Sequence, residues 1–86
     1  MRIELFTSAF CAPCHAARSA VEEASRLVSG LSAVDLDVTR HEDEAEARGI
    51  LSTPTIVLTD DAGHELFRAA GAPSVPQLLT AVARFA

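Results

Sequence analysis

The sequence predicts an α/β fold in which a sheet is covered by helices on its faces. Two observations lead to this prediction. Short β-prone runs alternate with longer runs of helical periodicity along the chain. Glycine or proline stands at most of the boundaries between these runs. The resulting order, β-α-β-α-β-β-α, is typical of a sheet packed between helical layers.

Length, composition and charge limit the class of protein. The chain has 86 residues, 49% of them apolar, and a formal net charge of −5. This length suits one domain over residues 1–86, and this apolar content suits a folded core. The excess of acid disfavours nucleic-acid binding, and no apolar run is long enough to predict a membrane span. No signal peptide is recognisable, because Arg2 leads directly into a strand pattern that contains Glu4. We therefore expect a cytoplasmic protein.

The first predicted strand is Met1–Thr7. Ile3 and Leu5 alternate with Glu4 and Phe6, so each pair should lie on its own face of the sheet. A charged side chain in the middle of a strand is unusual. We expect Glu4 to lie near the strand entrance, with its carboxylate in water.

The first helix is predicted over Pro13–Ser29. Pro13 suits the first turn, where a backbone N–H is not needed, and Gly30 suits the C-terminal end. Apolar residues recur at steps of three and four and should face the core. They are Cys14, Ala17, Val21, Ala24 and Val28.

The next two elements are a second strand and a short helix. Leu31–Val38 contains a strand whose alternation leaves one face polar, as expected at a sheet edge. Thr39-Arg40-His41-Glu42 matches a capping box and predicts a helix that runs to Arg48.

The C-terminal part of the chain predicts a hairpin and a last helix. Thr55–Thr59 is apolar and β-prone, which is typical of a central strand. The turn Asp60–Gly63 joins it to a strand over His64–Ala69. Ser74 and Gln77 match the capping box of the last helix. Its buried stripe should contain Val75, Leu78, Leu79, Val82 and Phe85.

Both cysteines lie between the first strand and the first helix, in the segment Phe10-Cys11-Ala12-Pro13-Cys14-His15. Their spacing allows them to form a disulfide. Cys11 should sit at the helix N-terminus, where free N–H groups and the helix dipole stabilise a thiolate. We assign Cys11 as the nucleophile and Cys14, one turn further in, as the thiol that resolves the mixed disulfide.

Metal and haem chemistry are alternatives for this motif. With His15 it also matches the attachment pattern of haem c, which we disfavour because Met1 is the one methionine and the pattern is β-rich. A zinc site would need further ligands, but His41 and His64 lie in surface-type segments. A metal shared between two copies of the chain stays open. His15 is either a polar residue of the first helix turn or a charge that favours the Cys11 thiolate.

The motifs together resemble the thioredoxin superfamily over nearly the whole chain. They are the strand, the Cys11-Ala12-Pro13-Cys14 turn, the helix, and Gly49–Thr55 with its Thr-Pro step. Gly71–Ser74 resembles the segment that leads into the last helix of thioredoxins. In its short length, the chain is most similar to small thioredoxin/glutaredoxin-like proteins. The resemblance implies a thioredoxin-like fold of glutaredoxin type, β-α-β-α-β-β-α, with a four-stranded mixed sheet and helices on both faces.

The same resemblance implies a cytoplasmic protein-disulfide reductase. Its catalytic residues would be Cys11 and Cys14, whose reversible disulfide would be the whole redox centre, without a cofactor or a metal. The residues implied in substrate binding are Phe10, Pro13, Thr53, Pro54 and Gly71. The peptide bond before Pro54 is expected to be cis, with the Thr53 backbone free to pair with an extended substrate.

Partners follow from the same resemblance. We expect protein disulfides as substrates and either a thioredoxin reductase or a low-molecular-weight thiol as electron donor. We expect a monomer that binds neither nucleic acid nor membrane. The alternatives are a glutaredoxin-like enzyme recycled by a low-molecular-weight thiol, and a non-catalytic module for redox sensing or metal binding.

Three positions depart from these families. Thioredoxins carry a buried aspartate six residues before the first cysteine, which handles the proton of the second thiol; this position is Leu5. The tryptophan that precedes the first cysteine is replaced by Phe10. The acidic pair that holds glutathione in glutaredoxins is replaced by Ala72 and Pro73. Glutathione binding therefore has no support in these residues, and the proton of Cys14 needs another route.

Overall fold

The computed structural model describes all of residues 1–86 and contains the predicted elements in the predicted order. They are β1 (Arg2–Thr7), α1 (Ala12–Leu27), β2 (Ser32–Asp37), α2 (Glu42–Ala47), β3 (Thr55–Thr59), β4 (Glu65–Ala70) and α3 (Val75–Phe85). The predicted fold class is confirmed. None of the helices combines the length and the apolar character needed to cross a membrane.

The four strands form one mixed sheet in the order β2-β1-β3-β4. β1 runs parallel to β2 and antiparallel to β3, and β3 and β4 form the predicted antiparallel hairpin. α1 makes the crossover that two parallel neighbours require. β2 lies at an edge and β3 lies inside the sheet with every residue buried, as predicted.

Helices cover both faces of this sheet. On the face that we call the α1 face, Leu5 of β1 packs in one cluster with Val21 of α1 and Leu78 of α3. On the opposite, α2 face, a smaller cluster contains Phe6, Leu36, Ala45 and Val57. β1 is therefore buried from both sides, and its C-terminal end leads into the cysteine segment from within the core.

Glu4 corrects one prediction. It was expected to reach water, but the residue is 8% exposed. Its Oε1 accepts a hydrogen bond of 2.6 Å from Nη1 of Arg48, the residue that ends α2. The carboxylate is tolerated inside the sheet because a guanidinium from the covering helix replaces the water that it loses.

The two predicted capping boxes have different outcomes. Ser74 and Gln77 cap α3 in both directions, as predicted. The capping box proposed for α2 is wrong, because the hydroxyl and the N–H of Thr39 both donate to Oδ1 of Asp37. His41 becomes the N-cap of α2 and makes no side-chain capping bond. The carboxylate that ends β2 thus captures Thr39 in a local turn before it can cap the helix.

Candidate active site

The cysteine pair lies where β1 passes into α1. Phe10 adopts a positive φ of 57° and turns the chain, so that Cys11 becomes the N-cap of α1. Cys11 and Cys14 are joined as a disulfide, with 5.3 Å between their Cα atoms. Cys11 is half-buried, whereas Cys14 is 1% exposed. One sulfur is therefore accessible to a partner and the other lies beneath it, which is the arrangement that the spacing predicts.

The N-terminus of α1 supplies the electrostatic environment of Cys11. The backbone N–H of Cys14 donates to Cys11 Sγ at 3.2 Å. No acidic residue stands in the first turn of α1 to offset the positive end of the helix. A thiolate at Cys11 would therefore gain both a hydrogen bond and the favourable end of the helix dipole.

A second loop faces the thiols. The Thr53-Pro54 peptide bond is cis, as predicted, and the carbonyl oxygen of Thr53 lies 3.9 Å from Cys11 Sγ. The hydroxyls of Ser8 and Thr53 share a hydrogen bond of 2.6 Å, which ties this loop to the cysteine segment. The N–H of Gly71 donates to the carbonyl of Pro54 at 2.9 Å. Thr53, Pro54 and Gly71, which were predicted from two separate motifs, are thus brought to one place.

Exposed apolar side chains border the two loops. Phe10 is 108% exposed and Leu51, two residues before Thr53, is 97% exposed. Pro13 is exposed as well, in the first turn of α1. Phe10 and Pro13 were predicted from the sequence as substrate-binding residues, whereas Leu51 was not. A large apolar residue in a segment with no strand or helix pattern was the available signal, since such a residue has no core face to join.

A partly polar cleft of about 660 Å³ adjoins the cysteines. Its lining includes Thr7, Cys14, Arg18 and Asp37. Arg18 Nε donates to Asp35 at 2.6 Å, and the buried hydroxyl of Thr7 donates to the same carboxylate at 2.7 Å. The sequence analysis missed this group, because nothing in the local pattern places α1 beside β2.

Asp37 is the carboxylate that lines this cleft. Its pKa is lowered, first by the hydrogen bond from the Thr39 hydroxyl and then by the Thr39 N–H, despite some desolvation. Asp37 is therefore ionised at neutral pH. Its negative charge would repel a thiolate at Cys14.

Leu5, six residues before Cys11, is a buried apolar residue of β1. It is 1% exposed, within the α1-face cluster. Its partner in the register of β1 and β2 is Asp35. The carboxyl that thioredoxins place at this point of the sheet is absent, and the carboxylate that is present lies one strand away, at the sheet edge.

The histidines do not gather around the cysteines. His15 is exposed on α1, His41 lies 3.1 Å from a carboxylate oxygen of Glu44, and His64 lies 3.4 Å from one of Asp60. No group of three or more His, Cys, Asp or Glu side chains is placed to hold a metal ion.

Two thiols at a helix N-terminus, facing a cis-proline loop, can exchange with a partner disulfide and keep two electrons as an internal disulfide. The molecule is a thiol–disulfide oxidoreductase, and its activity is that of a protein-disulfide reductase. The sequence profile of the family described as Thioredoxin matches residues 3–84. The chain belongs to the Thioredoxin family.

Individual relatives agree with this assignment. A thioredoxin of Methanocaldococcus jannaschii is 34% identical over 83 residues, which cover 95% of this chain and 92% of that protein. Thioredoxin 1 of Thermosipho africanus has a TM-score of 0.85 at 20% identity, over 99% of this chain and 93% of that one. Thioredoxin-2, described as a component of the protein secretion machinery of the malaria parasite, has a TM-score of 0.89 at 18% identity, over 96% and 81%. The two structures show the shared fold, and the archaeal relative supports the family.

Proposed function

We propose that Cys11 attacks the disulfide of a protein substrate and that Cys14 completes its reduction. The difference in exposure between the two cysteines carries this proposal, because only the sulfur of Cys11 is within reach of a partner. The Cys11 thiolate forms a mixed disulfide and expels one substrate thiolate. Cys14 then attacks the Cys11 sulfur and expels the second, so that the substrate gains two electrons and the enzyme ends as the disulfide.

The two loops around Cys11 form the substrate surface in this proposal. An extended segment of the substrate would lie along the Thr53 backbone, which is 3.9 Å from Cys11 Sγ. Phe10 and Leu51 would contact the residues on either side of the substrate cysteine, since both are almost fully exposed. Pro13 and Gly71 would complete the surface, Pro13 by fixing the first turn of α1 and Gly71 by holding Pro54.

The proposal extends to the electron supply and the state of the protein. The Cys11–Cys14 pair is the complete redox centre, with no cofactor, and the protein works as a monomer in the cytoplasm. Its electrons come from a thioredoxin reductase or from a low-molecular-weight thiol. Turnover measured with NADPH and thioredoxin reductase, against turnover with glutathione, decides between the two donors. We expect the reductase to be the better donor, since Ala72 and Pro73 offer no acidic group for glutathione.

Trapping experiments test the roles of the two thiols. Cys14→Ser should accumulate a covalent complex with a disulfide-containing protein such as insulin, visible on a non-reducing gel. Cys11→Ser should accumulate none, because the remaining thiol is buried. Equal trapping by the two variants would overturn the assignment.

Leu51→Ser tests the substrate surface. We expect insulin reduction to slow about 3- to 10-fold, since one exposed apolar contact contributes about 1 kcal/mol to binding. Reduction of dithiodipyridine, which is too small to reach Leu51, should stay unchanged. Leu27→Ser is the matched control, because Leu27 is 61% exposed at the far end of α1. Equal losses in the two leucine variants would show that Leu51 has no special role.

A further inference from the structure

The second step of the reaction poses a problem that the fold must solve. Cys14 is 1% exposed and reacts as a thiolate, so its proton must leave a buried position before it attacks. Leu5, buried on the α1 face of β1, can neither accept a proton nor stabilise a charge. The available exit is the polar cleft that Cys14 itself lines. Water in this cleft can take the proton.

The charges that face this cleft come from two elements. α1 contributes Arg18 and the exposed His15, and the end of β2 contributes Asp37. Asp35 does not line the cleft but is bonded to Arg18. On this face β1 presents apolar residues and a threonine, and the cis-proline loop presents no titratable group. Arg40 and His41, which follow β2, also act on Asp37 by their charge. Arg18 is the one permanent cation among the residues that line the cleft, and Asp35 and Asp37 are the carboxylates nearest to it along β2. Without that cation their charge would oppose a thiolate at Cys14.

Arg18 is held in position to balance them. It follows Cys14 by four residues on α1, so the two side chains share one side of the helix. Its Nε donates to Asp35 at 2.6 Å, and Asp35 is itself fixed by the Thr7 hydroxyl at 2.7 Å. Arg18 and Asp35 are each 38% exposed, so the pair stays hydrated and its effect on Cys14 is moderate.

We propose that Arg18 is a positioning residue of the resolving step. Its positive charge offsets the negative charges of Asp35 and Asp37 and so lets the Cys14 thiolate form near neutral pH. The inference rests on the proposed function, since it assigns a role within the second step. Arg18 forms no bond to a reacting atom. It acts by its charge on the equilibrium between the Cys14 thiol and its thiolate, and the proton goes to water.

The two steps can be separated with dithiodipyridine, a neutral disulfide whose thiopyridone product absorbs light. In stopped flow, Cys11 attack releases the first product at a rate that depends on reagent concentration. Cys14 attack then releases the second product at a rate that does not. The pH profile of the second phase reports the ionisation of Cys14 in the mixed disulfide.

Arg18→Gln should raise the midpoint of this profile by about half a pH unit or more, which makes the second phase about 3-fold slower below the midpoint. Arg18→Lys should restore the wild-type midpoint, because lysine keeps the charge. Arg26→Gln is the matched control: Arg26 is an exposed cation of the same helix, two turns further on, and forms no ion pair. Its profile should be that of the wild type.

Asp37→Asn gives the opposite test. Removal of a carboxylate from the same cleft should lower the midpoint, whereas a loosened helix would change the rate at every pH without moving the midpoint. Midpoints that coincide in wild type, Arg18→Gln and Asp37→Asn would overturn this inference alone. A wild-type protein without a concentration-independent second phase would overturn the proposed roles of the cysteines, and the inference with them.

Discussion

The two faces of β1 differ in that one contains a buried charge and the other contains none. Leu5 faces α1 at 1% exposure, within an apolar cluster. Glu4, its neighbour, faces α2 at 8% exposure and bonds to Arg48. A carboxylate is thus present inside the sheet, but on the face away from the chemistry. A buried carboxylate is therefore present in β1 at Glu4, where Arg48 bonds to it, and an apolar side chain is present at Leu5, within the α1-face cluster.

Charged residues on the α2 face are also connected to the loop that leads to Thr53 and Pro54. Glu65 lies between two arginines, bonded to Arg68 at 2.8 Å and 3.7 Å from Nη2 of Arg48. Arg68 in turn donates to the backbone carbonyl of Arg48 at 2.6 Å. These contacts fix the chain shortly before Thr53 and Pro54. On the thiol face, by contrast, the charges stay at the rim, in the pair of Arg18 and Asp35.

The largest effect is expected when a charge is forced onto the apolar face. Leu5→Asp should lower the free energy of unfolding at pH 7 by about 4 kcal/mol, from lost packing and an unpaired buried carboxylate. Burial would raise the pKa of this carboxyl above its unfolded value. The folded state would then bind the proton more tightly, so the deficit should shrink as the pH falls. Urea unfolding across pH measures it.

Leu5→Met is the control for that substitution. It preserves volume without charge and should cost less than about 1.5 kcal/mol at any pH. An aspartate variant no less stable than the methionine variant would remove the distinction between the two faces.

A smaller loss of unfolding free energy is expected when Arg48 is removed from the α2 face. Arg48→Leu leaves Glu4 with only the exposed Arg2, whose Nη2 lies 4.0 Å from Oε2 of Glu4. The variant should cost about 2–3 kcal/mol in urea unfolding, since Arg48 itself is 27% exposed. The double variant Glu4→Leu with Arg48→Leu should recover most of this loss, because two apolar residues can replace a buried pair. Failure of the double variant to recover would show that Arg48 acts through its other contacts.

The smallest effect is expected when Glu65, which bonds to Arg68, loses its charge. The hydrogen bond from Arg68, followed by the charges of Arg68 and Arg48, lowers the pKa of Glu65 below 4.5 against some desolvation. A depressed folded pKa stabilises the protein above the unfolded value, and this contribution disappears as the pH falls through the folded value. Glu65→Gln should therefore cost about 0.5 kcal/mol at pH 7, with a difference that closes as the pH falls through the lowered pKa of Glu65.

Glu23→Gln is the comparison for Glu65. Glu23 is an exposed acid of α1 that forms no ion pair, so its removal should leave the pH dependence of unfolding unchanged. Equal pH dependence in the two variants would show that the ion pairs of Glu65 add nothing measurable.

Much of the fold was predictable because its signals are local. The apolar, β-prone run Thr55–Thr59 identified the central strand, and the spacing of Ser74 and Gln77 identified the start of α3. The capping box at Thr39 failed for a local reason too, since Asp37 offered a nearer acceptor. Two motifs competed for one side chain, and the pattern alone does not rank them.

The sequence by itself determined the order of the elements and the place of the cysteines, because helix and strand periodicity and the turn between them depend on neighbouring residues. Only the tertiary structure decided the partners. Thr53 reaches Cys11 from 42 positions away, Arg48 reaches Glu4 from 44, and Arg18 reaches Asp35 across a helix and a strand. These contacts follow from the register of the sheet and the packing of helices on it, which no single segment encodes.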